Sequence, residues 1–333
     1  MEKKIPCLSI IGDGGWGTTL AVYLARKEYP VKLWGAFPEY IQQVRESRVN
    51  RKFLPGVEIP QTVDIISDLA EAVNESDIIV LAVPSQFLRP VLKKLKKFKL
   101  KNKIILSVVK GIETTTLMRV SEIIKDVLGT VQFAVLSGPT IAGEVAKGIP
   151  TTAVVASKSL KIAKTIQEIF NSDTFRIYTN SDVAGVEIGG SLKNVIAISC
   201  GICDGLGYGT NTKAAIVTRG LAEISQLGKV LGAKSQTFSG LTGLGDLITT
   251  CFSPNSRNRT VGEQLGKGTP VASILGSMAM VAEGVDTAKA AYRLSIKYKI
   301  PMPITTEVYN ILFKNKSPKA AVTDLMTRKT KTE

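Results

Sequence analysis

Gly12-Asp13-Gly14-Gly15-Trp16-Gly17 has the spacing G-x-G-x-x-G, directly after the apolar run Leu8 to Ile11 and at the mouth of an amphipathic stretch, Trp16 to Arg26. In that strand-turn-helix setting Gly12 permits the tight turn and Gly14 lets backbone approach a pyrophosphate. Gly17 lets the helix close on the strand, while helix N–H groups face the phosphates. The chemistry this suits is dinucleotide binding; the plain alternative is a glycine-rich structural turn.

Four further segments carry groups able to move protons or hold anions. Lys110-Gly111 follows the run Ile104 to Val108, and Ser137-Gly138-Pro139-Thr140 follows Phe133 to Leu136. Both positions are carboxyl ends of candidate strands, where open α/β sheets place their sites. Gly190-Ser191-Leu192-Lys193-Asn194, read near a helix start, sets a lysine among apolar residues, where an unpaired ammonium is costly and calls for a partner. Gly243-Leu244-Gly245-Asp246-Leu247 and Asn255-Ser256-Arg257-Asn258 complete the set. The chain has no histidine, which removes Ser-His-Asp hydrolysis, His-ligated zinc and a histidine general base. In an enzyme of this composition Lys, Asp, Glu, Tyr or Cys moves the proton.

The elements that must position these residues alternate in the first half. Strands are expected at Leu8 to Ile11, Val31 to Trp34, Ile78 to Ala82, Ile104 to Val108, Phe133 to Leu136, Ala153 to Ala156 and Phe175 to Tyr178. Helical patterns such as Trp16 to Arg26, Ser85 to Lys97 and Leu160 to Phe170 lie between them. Continuous apolar strands alternating with helices predict an α/β, Rossmann-like, doubly wound and mostly parallel sheet. Beyond about residue 180 the period becomes helical over Val183 to Cys203, Thr212 to Leu231 and Ala282 to Tyr298. Residues 1–182 are therefore expected to form a dinucleotide-binding domain and residues 183–333 an all-helical substrate-binding domain.

Length and composition agree with this. The chain has 333 residues, 44% hydrophobic and 21% charged, enough for about two domains with real cores. No apolar run approaches the ~18 residues needed to span a bilayer without Gly, Pro or charge, so no integral membrane segment is expected. The net charge of +15 favours anionic partners. Seven lysines fall between Lys93 and Lys103, but Val91, Leu92, Leu95 and Phe98 recur beside them at helical spacing, so a solvated helix face is expected rather than a nucleic-acid patch. Cys200 and Cys203 lie in an apolar stretch and, with no further soft ligands nearby, suit packing better than a metal; no metal site is expected. A reducing cytoplasm is the expected location.

Taken in order, Gly12 to Gly17, Phe53-Leu-Pro-Gly56, Lys110-Gly111, Ser137-Gly-Pro-Thr-Ile-Ala142, Leu192-Lys-Asn-Val-Ile-Ala197, Gly243 to Leu247, Ser256-Arg-Asn258 and Glu283-Gly284 form a specific set. Over essentially its whole length the chain resembles the NAD(P)-dependent glycerol-3-phosphate dehydrogenases of the bacterial biosynthetic type. The resemblance implies a 6-phosphogluconate dehydrogenase-like helical domain and a homodimer. It implies reversible reduction of dihydroxyacetone phosphate to sn-glycerol 3-phosphate for phospholipid synthesis. Lys193 then matches the general acid/base, and Lys110 the lysine contacting substrate and cofactor. Asp246 would pair with the lysine and Thr250 would assist it. Gly138 and Thr140 would hydrogen-bond substrate; Ser256, Arg257 and Asn258 would hold its phosphate, Arg257 also reaching the cofactor. Gly15, Trp16, Ala142, Val281 and Glu283 match cofactor-contacting positions. A lysine titrates ordinarily near ~10.4, and positive charge from Lys110 and Arg257 beside Lys193 would favour the neutral amine.

Two residues depart from the family pattern: Asp13 puts a carboxylate in the glycine turn, and Ala36 stands where many members carry Arg or His. An NAD site ordinarily has an acid about 20 residues beyond the turn, at the end of the second strand. Leu33-Trp34-Gly35-Ala36-Phe37 has none, and equally has no Arg or Lys for a 2′-phosphate, which leaves NAD and NADP both open. The competing functions are a dehydrogenase of another phosphorylated or carboxylated hydroxy compound, and a non-catalytic dinucleotide-binding protein. The presence of Lys193, Lys110 and Asp246 speaks against the second.

Overall fold

The structure is a computed structural model, and it describes residues 5–278, 280–330 and 332. Residues 5–110 and 118–187 form one compact unit; residues 111–117 and 188 onward form a second. Among the described residues, eight strands build one sheet in the first unit: β1 (Leu8–Ile11), β2 (Val31–Trp34), β3 (Val63–Ile66), β4 (Ile78–Leu81), β5 (Ile104–Ser107), β6 (Gln132–Ser137), β7 (Thr151–Ala156) and β8 (Phe175–Asn180), in the order β3-β2-β1-β4-β5-β6-β7-β8. The first six run parallel. β7 is antiparallel to β6, and β8 runs parallel to β7. The helices α1 (Gly15–Arg26), α2 (Pro38–Ser47), α3 (Leu69–Asn74), α4 (Leu88–Leu95), α5 (Val120–Leu128), α6 (Ala142–Ala146) and α7 (Leu160–Phe170) connect them.

The doubly wound arrangement expected from the sequence is present, and side-chain alternation explains it. Leu8, Ile10, Ile78 and Val80 join the core on one face, whereas Ile11, Ile79 and Leu81 join the core on the other. Both faces are apolar because helices cover both. One strand was absent from the sequence expectation: β3 carries an exposed Asp64 within a four-residue run and pairs with β2 at the sheet edge. In α4 the residues Leu88, Val91, Leu92 and Leu95 are buried while Lys93 and Lys94, and Lys96 and Lys97 just beyond its end, are exposed, so the lysine run is a solvated face.

The division between the units falls within α8 (Val183–Gly205), after Glu187. It is followed by α9 (Thr210–Val230), α10 (Ser235–Phe238), a π-helical turn (Leu241–Gly245), α11 (Asp246–Phe252), α12 (Arg257–Gly266), α13 (Val271–Ser277), α14 (Glu283–Tyr298), α15 (Pro303–Lys314) and α16 (Pro318–Met326). By length and composition α8 contains an 18-residue window apolar enough to cross a membrane, but glycines and Lys193 interrupt its apolar run, and all of that window is buried inside the protein. Its helical neighbours approach closely because glycines line the contact. A Cβ at Gly201 would lie 2.0 Å from the Arg259 carbonyl oxygen, and one at Gly262 would lie 2.0 Å from that of Ile198. Only hydrogen fits at both positions, so α8 and α12 pack backbone to backbone.

Candidate active site

In the sheet-bearing unit the glycine turn leaves β1 and enters α1. Gly12 has φ +124°, and a Cβ there would meet the Ala82 backbone at 2.8 Å; a Cβ at Gly17 would meet the Gly12 carbonyl oxygen at 1.9 Å. Turn and helix can close on the strand ends only with glycine at both places. Gly14 is the N-cap of α1 and offers no side-chain cap, and nothing lies within 4 Å of where its Cβ would be. The turn thus presents an open backbone and the N-terminus of a twelve-residue helix, which fits the diphosphate of a dinucleotide. Gly15 opens α1, and Trp16 packs half-buried against the core. Ala142, at the start of α6, accepts a hydrogen bond of 3.2 Å from the Thr19 hydroxyl and so stands against α1.

Lys110 follows the end of β5. Its ammonium donates to the carbonyl oxygen of Gly138 at 2.9 Å and to the Thr140 hydroxyl at 3.5 Å. Three candidates from two strand ends therefore form one polar group within this unit.

The helical unit gathers the rest. Lys193 lies within α8, ten residues in from Val183 rather than near a helix start. It is 6% exposed, and its ammonium donates to Oδ1 of Asp246 at 2.5 Å and to Oγ1 of Thr250 at 2.6 Å. The Thr250 hydroxyl in turn donates to the Asp246 carbonyl oxygen, one turn back along α11, at 2.7 Å. Ser256 caps α12, its hydroxyl accepting from the Arg259 N–H at 3.3 Å, so Arg257 and Asn258 occupy the first turn. Arg257 donates to the Val281 carbonyl oxygen at 2.8 Å. Asn258 donates to Asn194 Oδ1 at 2.9 Å and accepts from the Gly284 N–H at 2.9 Å. Glu283 opens α14 beside Gly284. Lys193, the start of α12 and the start of α14 are thereby joined through Asn194 and Asn258.

A family model described as the NAD-dependent glycerol-3-phosphate dehydrogenase N-terminus matches residues 7–163, and its C-terminal counterpart matches residues 182–323. The chain belongs to the NAD-dependent glycerol-3-phosphate dehydrogenase family. A family relative from Chlorobium phaeobacteroides, named glycerol-3-phosphate dehydrogenase (NAD(P)+), is 50% identical over 329 residues, covering 98% of each chain. One of the same name from Citrifermentans bemidjiense is 49% identical over 336 residues, covering 100% of this chain and 99% of its own. The solved glycerol-3-phosphate dehydrogenase of Coxiella burnetii superposes with a TM-score of 0.94 at 36% identity, covering 97% of this chain and 99% of that one.

Two residues to which the sequence assigned no role support these family motifs. Asn50, fully buried, donates to the Asp13 carbonyl oxygen at 2.7 Å and to the Thr18 hydroxyl at 2.8 Å, bracing the glycine turn. Asn194 links Lys193's helix to Asn258. A buried asparagine in a loop leaves no periodic mark, so Asn50 had no signal; Asn194 adjoins Lys193 and was visible only as its neighbour. Cys200, Cys203 and Cys251 are free and buried, and burial pushes the Cys203 thiol up to about 12, which leaves it an inert packing group.

Proposed function

We propose that this protein catalyses the reversible NAD(P)H-dependent reduction of dihydroxyacetone phosphate to sn-glycerol 3-phosphate, feeding glycerophospholipid synthesis. The observation that carries the reading is the buried ammonium of Lys193, fixed by Asp246 and Thr250 in a chain without histidine. When bound, a reduced nicotinamide supplies the hydride to C2 of the substrate. Lys193 gives the proton to the carbonyl oxygen as C2 is reduced, and takes it back in the reverse direction. Asp246 and Thr250 hold the ammonium in one orientation, so the proton is delivered without a search. The substrate phosphate, with roughly −1.5 to −2 charges at neutral pH, is taken by Ser256, Arg257 and Asn258 at the N-terminus of α12.

The Gly12–Gly17 turn, Trp16, Ala142, Val281 and Glu283 hold the dinucleotide, and Lys110, Gly138 and Thr140 hold substrate. A homodimer in the reducing cytoplasm belongs to the same reading, which the free thiols suit. The test is absorbance at the reduced-nicotinamide band with purified protein. Loss of NADH or NADPH that depends on dihydroxyacetone phosphate is expected. Consumption of neither cofactor with this substrate, but turnover of a 3-hydroxy acid, would overturn the reading.

A further inference from the structure

The adenosine ribose of a dinucleotide lies over the end of the second strand of such a fold, where its diol is ordinarily met by an acid about 20 residues past the glycine turn. Here β2 ends at Trp34, and Gly35, Ala36 and Phe37 bring no acid. A carboxylate is nevertheless present there. A Cβ built on Gly35 would lie 2.8 Å from Oδ2 of Asp13 and 2.8 Å from Cδ1 of Ile41. The Asp13 side chain therefore fills the volume that a side chain at position 35 would need, and is directed to the end of β2 rather than along the pyrophosphate turn.

Asp13 is 9% exposed, and its Oδ2 is buried with no hydrogen-bond partner among the described residues. Two backbone contacts hold that orientation: the Asp13 carbonyl oxygen accepts from Asn50, and the Gly12 N–H donates to the Trp34 carbonyl oxygen at 3.0 Å. Burial pushes the Asp13 carboxyl up, and its own backbone N–H and the exposed Lys52 offset this only in part. An acceptor left in that condition has a use for two hydroxyl donors. A ribose diol provides them, whereas a 2′-phosphate would bring a second anion against the first.

We propose that Asp13 supplies, from within the glycine turn, the ribose-binding carboxylate missing from the end of β2, and thereby selects NAD(H) over NADP(H). The inference rests on the dinucleotide-binding part of the function proposed above and is independent of the substrate. Its test is calorimetric titration with ADP-ribose and with 2′-phospho-ADP-ribose, neither of which needs a substrate or turnover. The wild type binds ADP-ribose at least about tenfold more tightly, since like charges brought together are strongly disfavoured. Asp13→Ala lowers that ratio by about tenfold or more, and Asp13→Asn, nearly isosteric, lowers it in the same direction should the alanine variant fold poorly. Moving the carboxylate with the double substitution Asp13→Gly and Gly35→Asp restores the preference. A ratio that stays within about twofold of wild type in both single variants, or a wild type that prefers the phosphorylated ligand, overturns the assignment to Asp13. Failure of the wild type to bind either ligand overturns the dinucleotide reading itself, and this proposal with it.

Discussion

Lys193 and Asp246, fifty-three residues apart in the chain, form a buried ion pair with Nζ 2.5 Å from Oδ1 and both side chains no more than 8% exposed. Breaking one partner of such a pair strands the other charge. Lys193→Ala and Asp246→Ala are each expected to lower stability by about 3–5 kcal/mol. The double variant is expected to lose less than the sum of the two, as read by chemical denaturation. Strict additivity, within about 0.5 kcal/mol, would mean the two charges do not stabilise each other.

Arg257 stands in the first turn of α12 and is anchored through the Val281 carbonyl oxygen. Arg257→Ala is expected to raise KM for dihydroxyacetone phosphate by about ten- to a hundredfold, the worth of charge-assisted hydrogen bonds. Arg257→Lys, which keeps the charge but loses the planar fork, should fall between the two. Initial rates at constant ionic strength decide this, and an unchanged KM in the alanine variant would remove Arg257 from the phosphate site.

What was legible in the sequence was whatever repeats or punctuates. The runs at Leu8, Val31, Ile78 and Ile104 became parallel strands because mostly apolar runs, whose successive side chains point to opposite faces, are buried on both faces. Lys193, out of place among apolar residues, announced a partner, and Asp246 is that partner. What was not legible depends on where distant backbone comes to lie. The fit of Gly262 against the Ile198 carbonyl oxygen, the brace from Asn50 and the turn of Asp13 toward Gly35 have no period and no spacing rule. β3 was hidden by Asp64, whose polarity belongs to an edge strand.

The glycine contact between α8 and α12 gives a stability prediction. Gly262→Ala places a Cβ 2.0 Å from the Ile198 carbonyl oxygen, where no flexible side chain can yield. Overpacking of this kind costs about 1–3 kcal/mol. A lower Tm is expected by calorimetry, with KM for the phosphorylated substrate raised because Ser256 to Asn258 sit at the head of the displaced helix. A variant as stable as wild type would show that the helices separate freely.

Glu223 on α9 accepts from the N–H groups of Ile304 (2.6 Å) and Thr305 (3.1 Å) and from the Thr305 hydroxyl (2.9 Å), so it caps α15 from outside. Burial outweighs these bonds and raises its carboxyl from 4.5 to about 6. The native state therefore holds a proton more tightly than the unfolded chain. Stability contributed by this group is fully present below 4.5 and is lost as pH rises through about 6. The loss amounts to roughly 2 kcal/mol. Denaturation of wild type and Glu223→Gln at several pH values should show the wild type losing this increment relative to the variant; parallel profiles would contradict it.

The most direct test is the turnover of Lys193→Ala with dihydroxyacetone phosphate, with folding checked by circular dichroism and cofactor affinity measured separately. A fall in kcat of at least about a hundredfold is expected, the usual worth of a positioned proton donor. Cofactor affinity should be unchanged, and added methylammonium should recover part of the rate. Turnover close to wild type, with cofactor binding intact, would show that the proton comes from elsewhere.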